Sequence, residues 1–310
     1  MNQGNEFAEG DFIVTQEQSV FEVIDRGDGT YAISSIVYFP CRGKDRRAVV
    51  PKKGPLLGES LLRAGEQRFF VPYKPHYVSG AYVLPLESVR LHEMPEVRAK
   101  ELFFGEGEIQ LRNLLIKISA GSAVPPFSIG VGGSTLIGLR DEIVTLIIYG
   151  IKQNQSVWDF LKYSDLSPLS LKKELVKKKS WMNDQIFELI LNRKWDVGEI
   201  NGIKFRIRGV LPRGEDDGEK PKFLYSQTSV EGEAKIVEDR MGRVFPARYS
   251  VKGDVDQIVI YDEDLIGLAE ENETVKYRGK LEVFEVEGRR VRKLLIGSKW
   301  DYLIPLQAQN

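Results

Sequence analysis

Phe127-Ser128-Ile129-Gly130-Val131-Gly132-Gly133-Ser134-Thr135-Leu136-Ile137-Gly138-Leu139 runs through Arg140-Asp141-Glu142 into Ile143-Val144-Thr145-Leu146-Ile147-Ile148-Tyr149-Gly150. The first piece is a short apolar strand that breaks on Gly132-Gly133-Ser134. The second is a continuous apolar run, the pattern of a strand buried on both faces. Together they predict a hairpin over 127–150. Glycines let the main chain come close to a ligand, and adjacent N–H groups can form an anion nest. Gly132, Gly133, Ser134 and Gly138 are the small residues of this turn where such a close approach is possible. The plain alternative is a hairpin kept for folding. A Rossmann fingerprint does not fit, because a strand rather than a helix follows, and a Walker lysine is missing.

Outward from the hairpin, apolar residues at 109, 111, 114, 115 and 118 predict an amphipathic helix over Glu106 to Ala120. Ser156 is a candidate cap for a helix through Tyr163, and Ser170 for another that runs, with a break, to about Trp195. Phe205, Ile207 and Val210 mark a strand within 201–212. Pro212-Arg213-Gly214-Glu215-Asp216-Asp217-Gly218-Glu219-Lys220-Pro221 has no apolar residue and is the best boundary candidate. Residues 222–305 then read as strands, with a Glu287-Gly288 turn before Val291 to Ile296. Many short strands at this spacing predict a small closed or half-open β-barrel. Before the hairpin, strands are expected at 12–14, 20–24 and 31–39, with a turn at 25–29. Residues 51–105 give short strands and one helix near 58–64. The predicted class is α+β: a β-rich region over 1–100, a mixed-sheet core over 101–212 and a barrel-like domain over 213–310.

The ordered set of motifs resembles the DNA polymerase β-type nucleotidyltransferase superfamily. Within it, the chain is similar to a family of predicted nucleotidyltransferases known mainly from archaea. There a second strand closes on Tyr-Gly, as Leu146-Ile147-Ile148-Tyr149-Gly150 does here. Arg193-Lys194-Trp195, Gly202-Ile203-Lys204-Phe205-Arg206-Ile207-Arg208, Phe245-Pro246-Ala247-Arg248-Tyr249-Ser250-Val251, Gly279-Lys280-Leu281-Glu282 and Trp300-Asp301-Tyr302-Leu303 look like the family's later blocks. The resemblance covers most of residues 100–305 and is weaker over 1–100. It implies a nucleotidyltransferase-like core whose Gly-Ser turn holds a triphosphate, with Gly132, Gly133, Ser134 and Gly138 as the nucleotide-binding residues. It also implies an Asp-x-Asp pair on the second strand that binds Mg²⁺. Those two positions fall on Ile143 and Thr145. The strand expected to give a third carboxylate offers Arg206 and Arg208 instead. Without metal, phosphoryl transfer loses its main electrostatic stabilisation.

The expectation is a degenerate, catalytically inactive nucleotidyltransferase that binds nucleotide or nucleic acid or serves as an interaction protein. No catalytic or metal-ligating residue is assigned. The first alternative is an active, Mg²⁺-dependent transfer of a nucleoside monophosphate from NTP to RNA or protein, with Asp141 as a displaced ligand. The second is a purely structural subunit. RNA, DNA, a nucleic-acid-processing complex and NTP are the partners in view.

Lys177, Lys178, Arg193, Lys194, Arg206 and Arg208 are candidates for a basic surface near the former active site, the bland reading being a solvated helix face. Lys276-Tyr277-Arg278, Arg289-Arg290 and Arg292-Lys293 could stack and pair with a single strand; ordinary surface charge is the alternative. Asp262-Glu263-Asp264 and Glu238-Asp239 read as solvated turns. Formal net charge is −1, so any polyanion site is local. A single cysteine, Cys41, excludes a disulfide framework, and with only His76 and His92 a Cys/His zinc site has no support. No serine or cysteine sits in a nucleophile turn. The longest apolar stretch, Ile143 to Ile151, is far short of the roughly 20 residues a span needs, so a cytoplasmic protein without a membrane partner is expected.

Overall fold

A computed structural model describes residues 7–16, 18–25, 31–42, 49–53, 71–72, 81–105, 108–139, 142–214 and 222–306. Within them the chain is mixed α+β and mostly β, with three sheets and five α-helices. The expected helix near 58–64 and most of the 25–29 turn lie outside the described residues.

The N-terminal sheet is built from β1 (Phe12–Thr15), β2 (Val20–Asp25), β3 (Tyr31–Arg42), β4 (Val49–Lys53), β5 (Val71–Pro72), β6 (Ala81–Pro85) and β7 (Val89–Glu93). Its order is β5-β6-β3-β2-β1-β7, with β4 paired to β3. The first three expected strands match β1 to β3. The first helix was not expected: α1 (Pro95–Phe104) starts with proline at its first turn and buries Pro95, Ala99, Leu102 and Phe103. That spacing is a helical stripe. Exposed Val97 and Phe104 interrupt it in the sequence.

The central sheet has the order β10-β11-β9-β8. α2 (Ile109–Ser122) leads to β8 (Ile129–Gly132), which runs antiparallel to β9 (Ile143–Tyr149). α3 (Ile151–Lys162) follows directly, six residues earlier than a cap at Ser156 would place it, because Gly150 with φ 106° turns the chain. α4 (Leu169–Leu175) and α5 (Asp184–Arg193) replace the expected interrupted helix. α5 is capped by Asn183, whose side chain accepts from the Ile186 N–H. β10 (Val197–Ile200) pairs antiparallel with β11 (Ile203–Val210), and β11 lies parallel to β9.

This sheet has two unlike faces. Ile129, Val131, Val144, Leu146, Ile148, Phe205 and Ile207 form one apolar face against α1, α2 and α3. The alternating positions Gly130, Gly132, Thr145, Ile147, Arg206 and Arg208 form the other.

The C-terminal sheet contains β12 (Lys222–Met241), β13 (Ala247–Gly253), β14 (Gln257–Ile260), β15 (Thr274–Val286), β16 (Arg289–Ile296) and β17 (Tyr302–Pro305). β12 pairs with both β13 and β15, so the ladder returns on itself through β14 and β16. The β15–β16 turn at Glu287-Gly288 has both residues at positive φ, as the sequence predicts. Its core, centred on Tyr249, Ile258, Ile260 and Tyr277, continues into Trp158 of α3 and Ile186 and Ile190 of α5.

Candidate functional site

The Gly-Ser turn is a short 3-10 helix, Gly133–Ile137. Gly133 has φ 65°, and a Cβ there would stand 3.2 Å from Thr145 Oγ1. Gly138, at φ 74°, ends the turn, its N–H reaching the Thr135 carbonyl at 3.2 Å. This is the left-handed C-terminal cap that glycine supplies without strain. Gly132, Gly133 and Ser134 thus cluster beside Thr145. Ser134 is buried, and Gly138 is exposed.

The turn does not face open space. Leu136 is buried with Phe12, Val20 and Tyr38 of the N-terminal sheet, and Ile137 and Leu139 pack on the same cluster. Gly10 lies on Ile147, where a Cβ would meet the Ile147 side chain at 3.1 Å.

Farther along the same face, register places Arg206 beside Thr145 and Arg208 beside Ile147. Both arginines are engaged. Arg208 Nε donates to Glu263 Oε1 at 2.7 Å, its Nη2 to the same oxygen and its Nη1 to Glu22 Oε1. Arg206 reaches Glu263 at 3.2 Å, Asp264 at 3.3 Å and the Leu175 carbonyl at 3.2 Å. Glu22 belongs to β2, and Glu263 and Asp264 to the 3-10 turn Glu263–Leu265 of the C-terminal unit. One arginine of the central sheet therefore bridges carboxylates from both flanking units. The space left among Trp158, Arg206, Arg208 and Glu263 is about 10 Å³, at the lower limit for one water molecule.

The titration of these groups follows from the geometry. Burial opposes the charge of Glu263, but Arg208 and Arg206 outweigh it and hold the carboxyl down at about 2. Burial pushes the Glu22 carboxyl up; Arg208 opposes this and Glu263 reinforces it. Burial also works against the charge of Arg208, yet Glu22 and Glu263 together keep its guanidinium above the ordinary value.

A second network closes the C-terminal end of β9. Arg213 grips Asp11 with two bonds, at 2.8 and 2.5 Å, and also binds Glu96. Tyr149 Oη donates to Glu96 at 2.6 Å, and His92 Nε2 lies 2.7 Å from Asp11. The Tyr149-Gly150 end of the motif is thus tied to α1 and the N-terminal sheet.

The six basic candidates do not assemble into one surface. Lys177 and Lys178 are exposed, and Lys178 pairs with Asp184 at 2.5 Å. Arg193 makes a bidentate pair with Glu273 at 2.6 and 2.7 Å. Lys194 is fully buried, 2.9 Å from Asp196, and donates to the Glu263 carbonyl at 2.6 Å. Arg206 and Arg208 belong to the joint described above. Of the C-terminal basic and aromatic residues, Tyr277 is fully buried and cannot stack on a base. Asp262-Glu263-Asp264 is not a solvated turn, since Asp262 pairs with Lys179 and the other two hold the arginines. Of the partners that complete the site, Asp11 and Glu22 carry no local sequence signal, and Glu263 stands out only as part of an acidic turn. Asp141, the candidate displaced ligand, lies outside the described residues. No helix among them is long and apolar enough to cross a membrane.

No protein-family model, curated protein or solved structure matches the chain.

Proposed function

We propose that this chain is a non-catalytic interaction protein built on a nucleotidyltransferase-like core, whose former substrate face has become an interdomain joint. The observation that carries the reading is the Arg208 bridge between Glu22 and Glu263, beside Thr145 and Arg206. A carboxylate pair at 143 and 145 would attract cations to this face. Here the face presents two arginines, satisfied by carboxylates from the flanking units. Further support comes from the antiparallel β8–β9 hairpin around Gly133-Ser134, with α3 following β9 immediately. The self-returning ladder of the C-terminal sheet supports its barrel-like reading. The resemblance points to RNA, DNA or a complex that handles them as the partner class.

The test is incubation of the purified chain with labelled NTPs, Mg²⁺ or Mn²⁺, and mixed RNA and protein acceptors. No transfer is expected. Transfer that Asp141→Ala abolishes would overturn the reading in favour of an active enzyme with a displaced metal ligand.

A further inference from the structure

The void of about 10 Å³ beside the joint is lined by Trp158 of α3 and by Asp196, the residue before β10, as well as by Arg206, Arg208, Arg243 and Glu263. Trp158 and Asp196 are each 3% exposed. The Trp158 indole Nε1 and the Asp196 Oδ1 have no hydrogen-bond partner among the described residues. A buried N–H donor and a buried carboxylate oxygen are costly to leave unpaired, and each calls for a partner.

Neither side chain is free to turn elsewhere. Asp196 is fixed by its other oxygen, Oδ2, which lies 2.9 Å from the Nζ of fully buried Lys194. The indole ring is wedged by Gly267, where a Cβ would stand 2.4 Å from Cη2 and 2.8 Å from Cζ3. Those atoms belong to the benzo edge, whereas Nε1 belongs to the pyrrole edge. The other charged groups of the wall are already engaged. Glu263 Oε1 accepts from Arg208 and Glu263 Oε2 from Arg206. Arg243 binds Gln155 and faces Glu270 at 3.8 Å.

We infer that this void is a binding site for a single internal water molecule, which accepts from the Trp158 Nε1–H and donates to Asp196 Oδ1. The two partners select the occupant. A metal cation cannot accept from the indole N–H, and an anion would face the Asp196 carboxylate. Water serves both, and a volume of this order holds one molecule. The consequence lies in the joint. Lys194 Nζ, paired with Asp196, also donates to the Glu263 carbonyl at 2.6 Å. The chain from Trp158 through water, Asp196 and Lys194 to Glu263 therefore forms a second link between α3 and the C-terminal unit, alongside the arginine–carboxylate bridge. The site depends on this packing alone, whether or not the face ever held a nucleotide.

The test is solution NMR of the full chain with ¹⁵N-labelled tryptophan, reading NOE and ROE transfer from water to the four indole N–H groups. Trp158→Phe identifies the Trp158 signal by its loss. At Trp158 the two transfers are expected to have the opposite signs that mark direct contact with a water held longer than the protein tumbles, rather than proton exchange. Trp300, which is 53% exposed, is the control for passing solvent. The inference fails if the Trp158 indole shows no such transfer, or one no different from that of Trp300. A high-resolution crystal structure of the parent gives a second readout that needs no variant. One density peak within about 3.2 Å of both Trp158 Nε1 and Asp196 Oδ1 is expected. A direct hydrogen bond from Trp158 Nε1 to a protein acceptor, or a peak that touches only one of the two atoms, would overturn the site.

Discussion

Replacing Arg208 with methionine removes a side chain that ties the central sheet to both flanking units. Three donor contacts disappear, two to Glu263 and one to Glu22. What remains is a pair of part-buried carboxylates with their shared cation gone. Breaking a buried ion pair by deleting one partner costs about 3–5 kcal/mol, mainly because the other charge is stranded. For a chain of this size that corresponds to a melting point lower by roughly 5–8 °C. Part of the loss is recoverable by protonation, since burial and Glu263 already push the Glu22 carboxyl up. The deficit should therefore shrink as the pH is lowered. The triple variant Arg208→Met/Glu22→Gln/Glu263→Gln should regain most of the lost stability, because neutral amides need no counter-charge. Thermal melts followed by tryptophan fluorescence measure the loss. Hydrogen exchange locates it: amides of β2 and of 262–265 should lose protection before those of β9. A single variant that melts within about 2 °C of the parent would refute the assignment of this arginine as the joint. So would a triple variant no more stable than the single.

Two further outcomes follow from the same geometry. Glu263 titrates at about 2 in the folded chain against 4.5 unperturbed. Its contribution is therefore present above pH 4.5 and is lost as the pH falls towards 2, about 3 kcal/mol over that window; acid titration of Glu263→Gln by circular dichroism should show a flatter slope there. Gly267 has φ 74°, and a Cβ there would come 2.4 Å from Trp158, whereas Gly138 has the same φ with nothing within 4 Å. Gly267→Ala should cost about 2–4 kcal/mol and Gly138→Ala about 1 kcal/mol in denaturant unfolding, and equal losses would contradict the packing.

The hairpin at 127–150 was legible because its signals are local. A glycine-serine break and a continuous apolar run are properties of neighbouring residues, and β8 and β9 stand where these signals put them. The charges were misread for the opposite reason. Arg193 finds Glu273 at a separation of 80 residues, and Arg208 finds Glu22 at a separation of 186. A lysine or arginine on a short segment looks like a surface until its distant partner is known. Lys194 is the extreme case. It sits between Arg193 and Trp195 in a stretch that reads as basic and is buried completely against Asp196 and the Glu263 carbonyl. Asp262-Glu263-Asp264 was lost the same way, since three acids in a turn normally stay in water.

The exchanges on the central sheet are easier to understand together than singly. In the parallel register Arg206 lies beside residue 145 and Arg208 beside residue 147. An aspartate at 145 would stand within reach of Arg206 and form an ion pair with it, which would compete with any metal ion for the carboxylate. Arginines on β11 thus disfavour a metal-binding carboxylate pair on β9. With Ile143 and Thr145 on β9, the two guanidiniums on this face need anions from elsewhere, and Glu22, Glu263 and Asp264 supply them from outside the sheet. That requirement pulls both flanking units onto the face and shuts the space above it to about 10 Å³. Thr145→Asp alone is therefore expected to create no metal site. The new carboxylate would compete with Glu263 for Arg206, and it would loosen the joint without opening a place for nucleotide.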